Sequence, residues 1–319
     1  MGTGAIAHKF AAGLAELDDA ELVAVGSRAR KTADEFGRTY GVPNRHASYE
    51  DLANDPRVDA IYVATPHPMH KENSILCLNA GKAVLCEKPF TVNAREAAEL
   101  IGVARDKGVF LMEAMWTRFI PIVAKVRELV RGGAIGEVRM LSADFGFRAH
   151  PDAESRLFAP KYAGGSLLDV GVYAVSFVSM ILGKQPESTA GLAHIGEMGV
   201  DEQGAWVFLY YKGEVAMMAS AIRTTTPHQA LVMGTEGHIQ LQPPFWRGTK
   251  ATLTHASGES EELELPYDGN GYQFEAAEVM RCVRGGKLES EVMPLDESLG
   301  IMATMDSIRC HWGLTYPME

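Results

Sequence analysis

The stretch Gly2-Thr3-Gly4-Ala5-Ile6-Ala7 opens the chain and decides how its first third folds. The first glycine permits a tight bend, the second lets the backbone approach a pyrophosphate, and the small Ala7 allows close packing of helix on sheet. A helix starting at such a turn aims unpaired N–H groups at phosphate charge, so Gly2, Gly4, Ala5 and Ile6 are candidate cofactor contacts. The turn by itself is not specific. With 32 glycines in 319 residues, chance supplies on the order of one such match per chain.

The flanking pattern gives it meaning. Leu22–Val25, Ala60–Ala64, Ala83–Cys86 and Val109–Met112 are short, almost uncharged runs, the habit of strands buried on both faces of a parallel sheet. Helical periodicity predicts helices near 4–17, 31–40, 69–80 and 93–107, the last capped at Asn93 and stopped at Gly108. Strand-helix alternation with short connections predicts a doubly wound parallel sheet over residues 1–115. Where the strand after the turn ends, a dinucleotide fold contacts the adenosine ribose. An acidic residue there would accept from the 2′-hydroxyl of NAD, but this chain offers Ser27 and Arg28, suited to a 2′-phosphate. The expectation is NADP(H), with NAD(H) possible; the alternative is a solvent-exposed arginine after a strand. Only Met1 precedes the turn, where a central first strand belongs, so the sheet should have a gap and the natural chain is expected to begin upstream.

After Trp116 the pattern changes. A helix over 120–131, a strand over 137–147, an apolar helix over 165–182, strands at 204–211, 214–223, 229–234, 237–242 and 249–255, and helices over 272–285 and 295–312 predict a second α+β domain, 116–319, built on a mainly antiparallel sheet.

Composition narrows the partners. The net charge of −11 repels phosphate backbones and anionic lipid, which argues against nucleic-acid and membrane-surface partners. No run of about 18 apolar residues suggests a membrane span, and the opening residues do not read as a secretory signal. Cys77, Cys86, Cys282 and Cys310 have no metal-binding spacing and read as reduced thiols of a cytoplasmic protein; no metal site is expected, because the closest functional-looking pair, His67 and His70, lacks further ligands.

Three segments carry the chemistry. Thr65-Pro66-His67-Pro68-Met69-His70 and Glu87-Lys88-Pro89 follow strands at the carboxyl edge of the sheet, where ligands bind. Glu-Lys at a turn is otherwise a surface ion pair. Gly164-Gly165-Ser166-Leu167-Leu168-Asp169-Val170-Gly171-Val172-Tyr173 opens the apolar helix, and Asp169 and Tyr173, four apart, share a face. Two polar groups on an apolar stripe are costly unless used or structurally paired.

On these segments, with Glu113-Ala114-Met115-Trp116-Thr117-Arg118 and Gly271-Tyr272-Gln273-Phe274-Glu275-Ala276, the chain resembles the Gfo/Idh/MocA family of nicotinamide-dependent oxidoreductases over essentially its whole length, and most of all its dehydrogenases of sugars, polyols and trans-dihydrodiols. It departs from the pattern in the missing first strand and in His67, where many relatives carry Asn. The resemblance implies a Rossmann domain, Tyr173 as catalytic acid/base, Lys88 assisting it, and Asp169 holding the site. It implies cofactor contacts from Thr65, Pro66, His67, His70, Glu87, Lys88, Trp116 and Arg118, and substrate contacts from Phe147, Arg148 and Trp246. A small polyhydroxy substrate and a homodimer formed through the C-terminal sheet are also implied. Two rivals share the scaffold: a glycosidase using the nicotinamide transiently, and a non-catalytic NADP(H)-binding protein.

Overall fold

A computed structural model describes all 319 residues. The four apolar runs become β1 (Ala24–Gly26), β3 (Ala60–Val63), β4 (Ala83–Glu87) and β5 (Leu111–Ala114), with β2 (Asn44–His46) added beside β1. Helices α1 (Ala5–Leu14), α2 (Arg30–Thr39), α3 (Tyr49–Ala53), α4 (His70–Asn79) and α5 (Ala94–Lys107) alternate with them. Asn93 caps α5 by accepting from the Glu96 N–H at 3.0 Å, and Gly108 ends it at φ 62°. Periodicity missed β2, which is wholly polar, and α3, which at five residues is too short to show a period.

All strand pairs here are parallel, but the sheet lies in two pieces, β1-β2 and β3-β4-β5. Met1 and Gly2 stand between them and hydrogen-bond to both. The Gly2 N–H donates to Gly26 at 2.9 Å, the Ala64 N–H donates to Met1 at 2.9 Å, and the Met1 ammonium donates to the Tyr62 carbonyl at 2.7 Å. Beside them lies a cavity of about 110 Å³ lined by Phe10, Val25, Phe36, Ile61 and Tyr62 among others. Burial pushes the Met1 ammonium down to about 6, because the gap offers little to solvate a charge.

The second domain holds α6 (Pro121–Arg131), β6 (Val138–Gly146), a wide helical turn at Leu167–Gly171 running into α7 (Val172–Leu182), and strands β7 (Ser188–Ile195), β8 (Asp201–Leu209), β9 (Val215–Ala221), β10 (Ala230–Gly234), β11 (Gly237–Leu241), β12 (Lys250–His255) and β13 (Ser260–Glu264). Strand order is β13-β12-β11-β10-β6-β9-β8-β7, antiparallel except where β6 meets β9. Strands β7 and β13 were not among the expected ones; both are largely solvent-facing and lack buried apolar runs. One face of the sheet buries Leu141, Trp206, Phe208 and Met218 beneath α7, while the other exposes Leu192, Val207, Leu209 and Met217. The segment Pro160–Leu182 is long and apolar enough to cross a bilayer by composition, contrary to the sequence reading, but 89% of its apolar window is buried inside the protein.

Two helices close the chain, α8 (Tyr272–Arg284) and α9 (Leu295–Trp312). The chain divides into two compact units, the first comprising Met1–Trp116 and Asp268–Leu299. Assigning all of 116–319 to the second domain needs correction, because that domain is Thr117–Tyr267 with Gly300–Glu319. The returning piece is drawn by packing rather than composition. Asn270 Nδ2 donates to the Lys9 carbonyl at 2.8 Å, and a side chain at Gly13 of α1 would meet Tyr272 at 3.0 Å.

The amino end of the wide turn is held by Asp201, whose Oδ2 accepts from the Leu167 N–H at 2.7 Å and from Ser166 Oγ at 2.8 Å. Burial nonetheless pushes this carboxyl up to about 6.

One measurement checks this hold. The folded state binds the Asp201 proton more tightly than the unfolded state does, so stability from this group falls as pH rises from 3.8 to about 6, by about 3 kcal/mol, and is level above. Urea unfolding of Asp201→Asn should lose that slope; equal slopes in both proteins contradict it.

Candidate functional site

Within the first domain, Gly2 has φ +91° and a Cβ there would lie 2.8 Å from the Ala64 carbonyl, so the bend admits only glycine. Nothing stands within 4 Å of a Cβ placed on Gly4. Gly4 and Ala5 are exposed and Ile6 is half-buried, while the amino end of α1 has no side-chain cap and no acidic residue in its first turn. This is an open, positively polarised cradle, and it fits the diphosphate of a dinucleotide. At the end of β1, the buried Ser27 hydroxyl pairs with Thr32 Oγ1 at 2.6 Å, whereas Arg28 is exposed beside the Tyr49 hydroxyl.

The two predicted crevice turns are tied together by His70. Its Nδ1 faces the Pro89 carbonyl and its Nε2 the Thr65 carbonyl, both at 2.8 Å, and the ring is fully buried. Two carbonyls favour a doubly protonated ring, but desolvation prevails and holds the pKa below the ordinary imidazole range. Asn73 Nδ2 adds a bond to Thr65 Oγ1 at 3.0 Å, and buried His67 packs edge-on to His70. His70 thus braces the Thr65-Pro66 turn against the turn that carries Lys88.

Lys88 itself is half-buried. The preceding Glu87 is buried, accepts the Tyr62 hydroxyl, and accepts the Lys88 N–H at 3.1 Å. Beside it Glu275 of α8 is wholly buried with neither carboxyl oxygen hydrogen-bonded; burial and the neighbouring Glu87 raise its pKa well above the ordinary carboxylate value. Trp116 stacks on Tyr272 of α8 at 4.5 Å.

In the second domain, Tyr173 is 5% exposed on the first turn of α7. Phe145 lies 5.3 Å from its ring and Trp246 6.5 Å, and these two stack on each other at 3.5 Å with planes 7° apart. His228 closes the cluster edge-on to Trp246 at 4.7 Å. Its backbone sits at φ +65°, and its N–H donates to Asp144 Oδ2 at 2.7 Å. Phe147 meets Phe145 edge-on at 6.5 Å, whereas Arg148 is exposed and forms a β-bridge with Arg223. The buried Asp169 carboxylate takes Arg156 Nη1 at 2.6 Å. Arg118, 1% exposed, donates from Nε to Ser176 Oγ at 2.9 Å and from Nη2 to the Ser176 carbonyl at 3.0 Å, which braces α7.

Of the residues named from sequence, Thr65, His67, His70, Glu87 and Lys88 thus gather in one domain, and Asp169, Tyr173, Phe147 and Trp246 in the other. Sequence reasoning missed Phe145, His228, Arg156 and Glu275. Phe145 lies in the predicted strand 137–147, but nothing in the one-dimensional pattern pairs it with Trp246, about a hundred residues away.

Comparison with known proteins bears on the two domains. Residues 1–115 match an oxidoreductase family with an NAD-binding Rossmann fold, and residues 123–240 match the GFO/IDH/MocA C-terminal domain. The chain is 39% identical over 330 residues to trans-1,2-dihydrobenzene-1,2-diol dehydrogenase of Mus musculus and 40% identical over 333 residues to that of Homo sapiens, in each case over 100% of this chain and 97% of the relative. Among solved structures, a 3-ketoreductase from Actinomadura kijaniata in complex with NADP and TDP-benzene superposes with a TM-score of 0.85 at 24% identity, covering 98% of this chain and 96% of that one. Levoglucosan dehydrogenase in complex with NADH and levoglucosan gives 0.88 at 18% identity, covering 98% and 95%. These two likenesses concern the fold. The full-length relatives and the two matched domains show that the chain belongs to the Gfo/Idh/MocA family of NAD(P)-dependent oxidoreductases.

Proposed function

We propose that this enzyme transfers a hydride between NADP(H) and a carbinol or carbonyl of a vicinal diol, with cyclic trans-dihydrodiols of arenes as the first substrate class and sugars and polyols as the second. The observation that carries the reading is the phenol of Tyr173 set against the stacked Phe145–Trp246 pair. Flat aromatic faces favour a flat, partly unsaturated ring, and a phenol is the group needed at its hydroxyl. The full-length relatives, which carry the name of a trans-dihydrodiol dehydrogenase, support the same class.

Bound nicotinamide supplies the hydride acceptor or donor. The residues of this chain manage the proton and the charge. Tyr173 takes the hydroxyl proton in oxidation and returns it in reduction. A free phenol titrates near 10 and is a poor base at neutral pH, so it needs a cation to stabilise its phenolate; Lys88 is assigned that role and the polarisation of the reacting oxygen. Gly2, Gly4 and the amino end of α1 would hold the diphosphate, and Arg28 the 2′-phosphate, which supports NADP(H) over NAD(H). The apolar outer face of the second domain's sheet, with Leu192 84% exposed beside Val207, Leu209 and Met217, supports a homodimer formed through that face.

The test is NADPH production with excess NADP over a panel of trans-dihydrodiols, aldoses and polyols. Accumulation of NADPH marks net oxidation and separates it from a transient redox cycle. Tyr173→Phe and Lys88→Ala should each lower turnover at least about a hundredfold, and near-wild-type turnover in either overturns its role. Arg28→Ala should raise KM for NADP about tenfold while leaving KM for NAD within about twofold; equal effects on both cofactors contradict the preference.

A further inference from the structure

The Gly164-Gly165 pair and the loop before it are not used by the mechanism above, yet they are built tightly. A Cβ on Gly164 would lie 2.8 Å from the Arg156 carbonyl and 2.6 Å from the Leu157 carbonyl. The Gly165 N–H donates to Leu157 at 2.8 Å, and the Tyr316 hydroxyl donates to the Gly164 carbonyl at 2.7 Å. Phe158, with no exposed surface, anchors the loop in the core. The loop next to Arg156 is therefore packed closely on Gly164 and tied at Leu157 to Gly165, in the segment that leads to the wide turn Leu167–Gly171.

From this loop the side chain of Arg156, 56% exposed, reaches inward to an Asp169 side chain that is only 6% exposed, with Nη1 to Oδ1 at 2.6 Å. Exposed ion pairs contribute little, but a charge-assisted bond to a buried carboxylate fixes its orientation. Asp169 lies within the wide turn, whose i→i+5 hydrogen bonding leaves its backbone less constrained than an α-helix, and Tyr173 follows one turn on. Asp201 already holds the amino end of this turn, so Arg156 supplies the second hold, directly at Asp169.

We infer that Arg156 is a positioning residue of this enzyme: its guanidinium orients the Asp169 carboxylate and so steadies the turn that presents Tyr173. The inference rests on the proposed role of Tyr173, and it adds to the site a loop residue that touches neither the reacting hydroxyl nor the nicotinamide in the proposed mechanism.

Arg156→Ala should lower kcat at least about tenfold, as loss of a group that orients a functional side chain does, with KM changed less than about twofold. Guanidinium ion at non-denaturing concentration should fill the vacated position and restore much of the loss, and Arg156→Lys should retain part of the activity. Lys161→Ala, which breaks the exposed Lys161–Glu154 pair on the same loop, should leave kcat unchanged. Amide hydrogen exchange gives a readout that needs no substrate: residues 167–173 should exchange faster in Arg156→Ala and slow again with guanidinium. Wild-type kcat with unaltered exchange overturns the inference, as does a loss that neither guanidinium nor lysine repairs. Full activity of Tyr173→Phe sinks the functional reading instead, and the exchange measurement still decides the role of Arg156.

Discussion

Residues 163 to 180 are buried without interruption, so every polar group on that segment must be met inside the protein. The second domain is organised around this demand. Asp201 meets Ser166 and the Leu167 N–H, Arg156 meets Asp169, and Arg118 meets Ser176. Each partner comes from a different part of the chain, and each fixes one point along the segment. What these holds position is the phenol of Tyr173 on its aromatic wall.

The first domain meets a related constraint with backbone. Parallel strands satisfy one another's peptide groups, and their carboxyl ends present turns rather than side-chain cores. Gly2 makes its bend in contact with the Ala64 carbonyl, Gly4 leaves its surroundings open, and His70 links the two crevice turns through their carbonyls. Between the two half-sheets, Met1 and Gly2 hydrogen-bond to both, and burial opposes protonation of the Met1 ammonium. Glu275 is a comparable case, a carboxyl whose ionisation is opposed by burial and by the neighbouring Glu87.

Much of this was legible in the residues because the signals are local. Ser27 and Arg28 stand at a strand end that the apolar run Leu22–Val25 locates, and Asn93 with Gly108 marks α5 by capping chemistry alone. Asp169 and Tyr173 stand out because polar residues interrupt an apolar helix. The polar β2, the solvent-facing β7 and β13, and the return of Asp268–Leu299 to the first domain have no such signature. Arg118 shows the limit: nothing in its neighbours along the chain indicates that it hydrogen-bonds Ser176 on α7.

The amino-acid order by itself determined the two-part architecture, the glycine turn, the family and the lysine, aspartate and tyrosine proposed here as its chemical groups, because periodicity, turn residues and short motifs are properties of neighbours along the chain. Only the tertiary structure decided which groups face them: Phe145 against Trp246, Arg156 against Asp169, Glu275 against Glu87 and Asp201 against Leu167. Those pairings join residues 13 to 188 positions apart, and at such separations burial and hydrogen-bond satisfaction in three dimensions choose the partner.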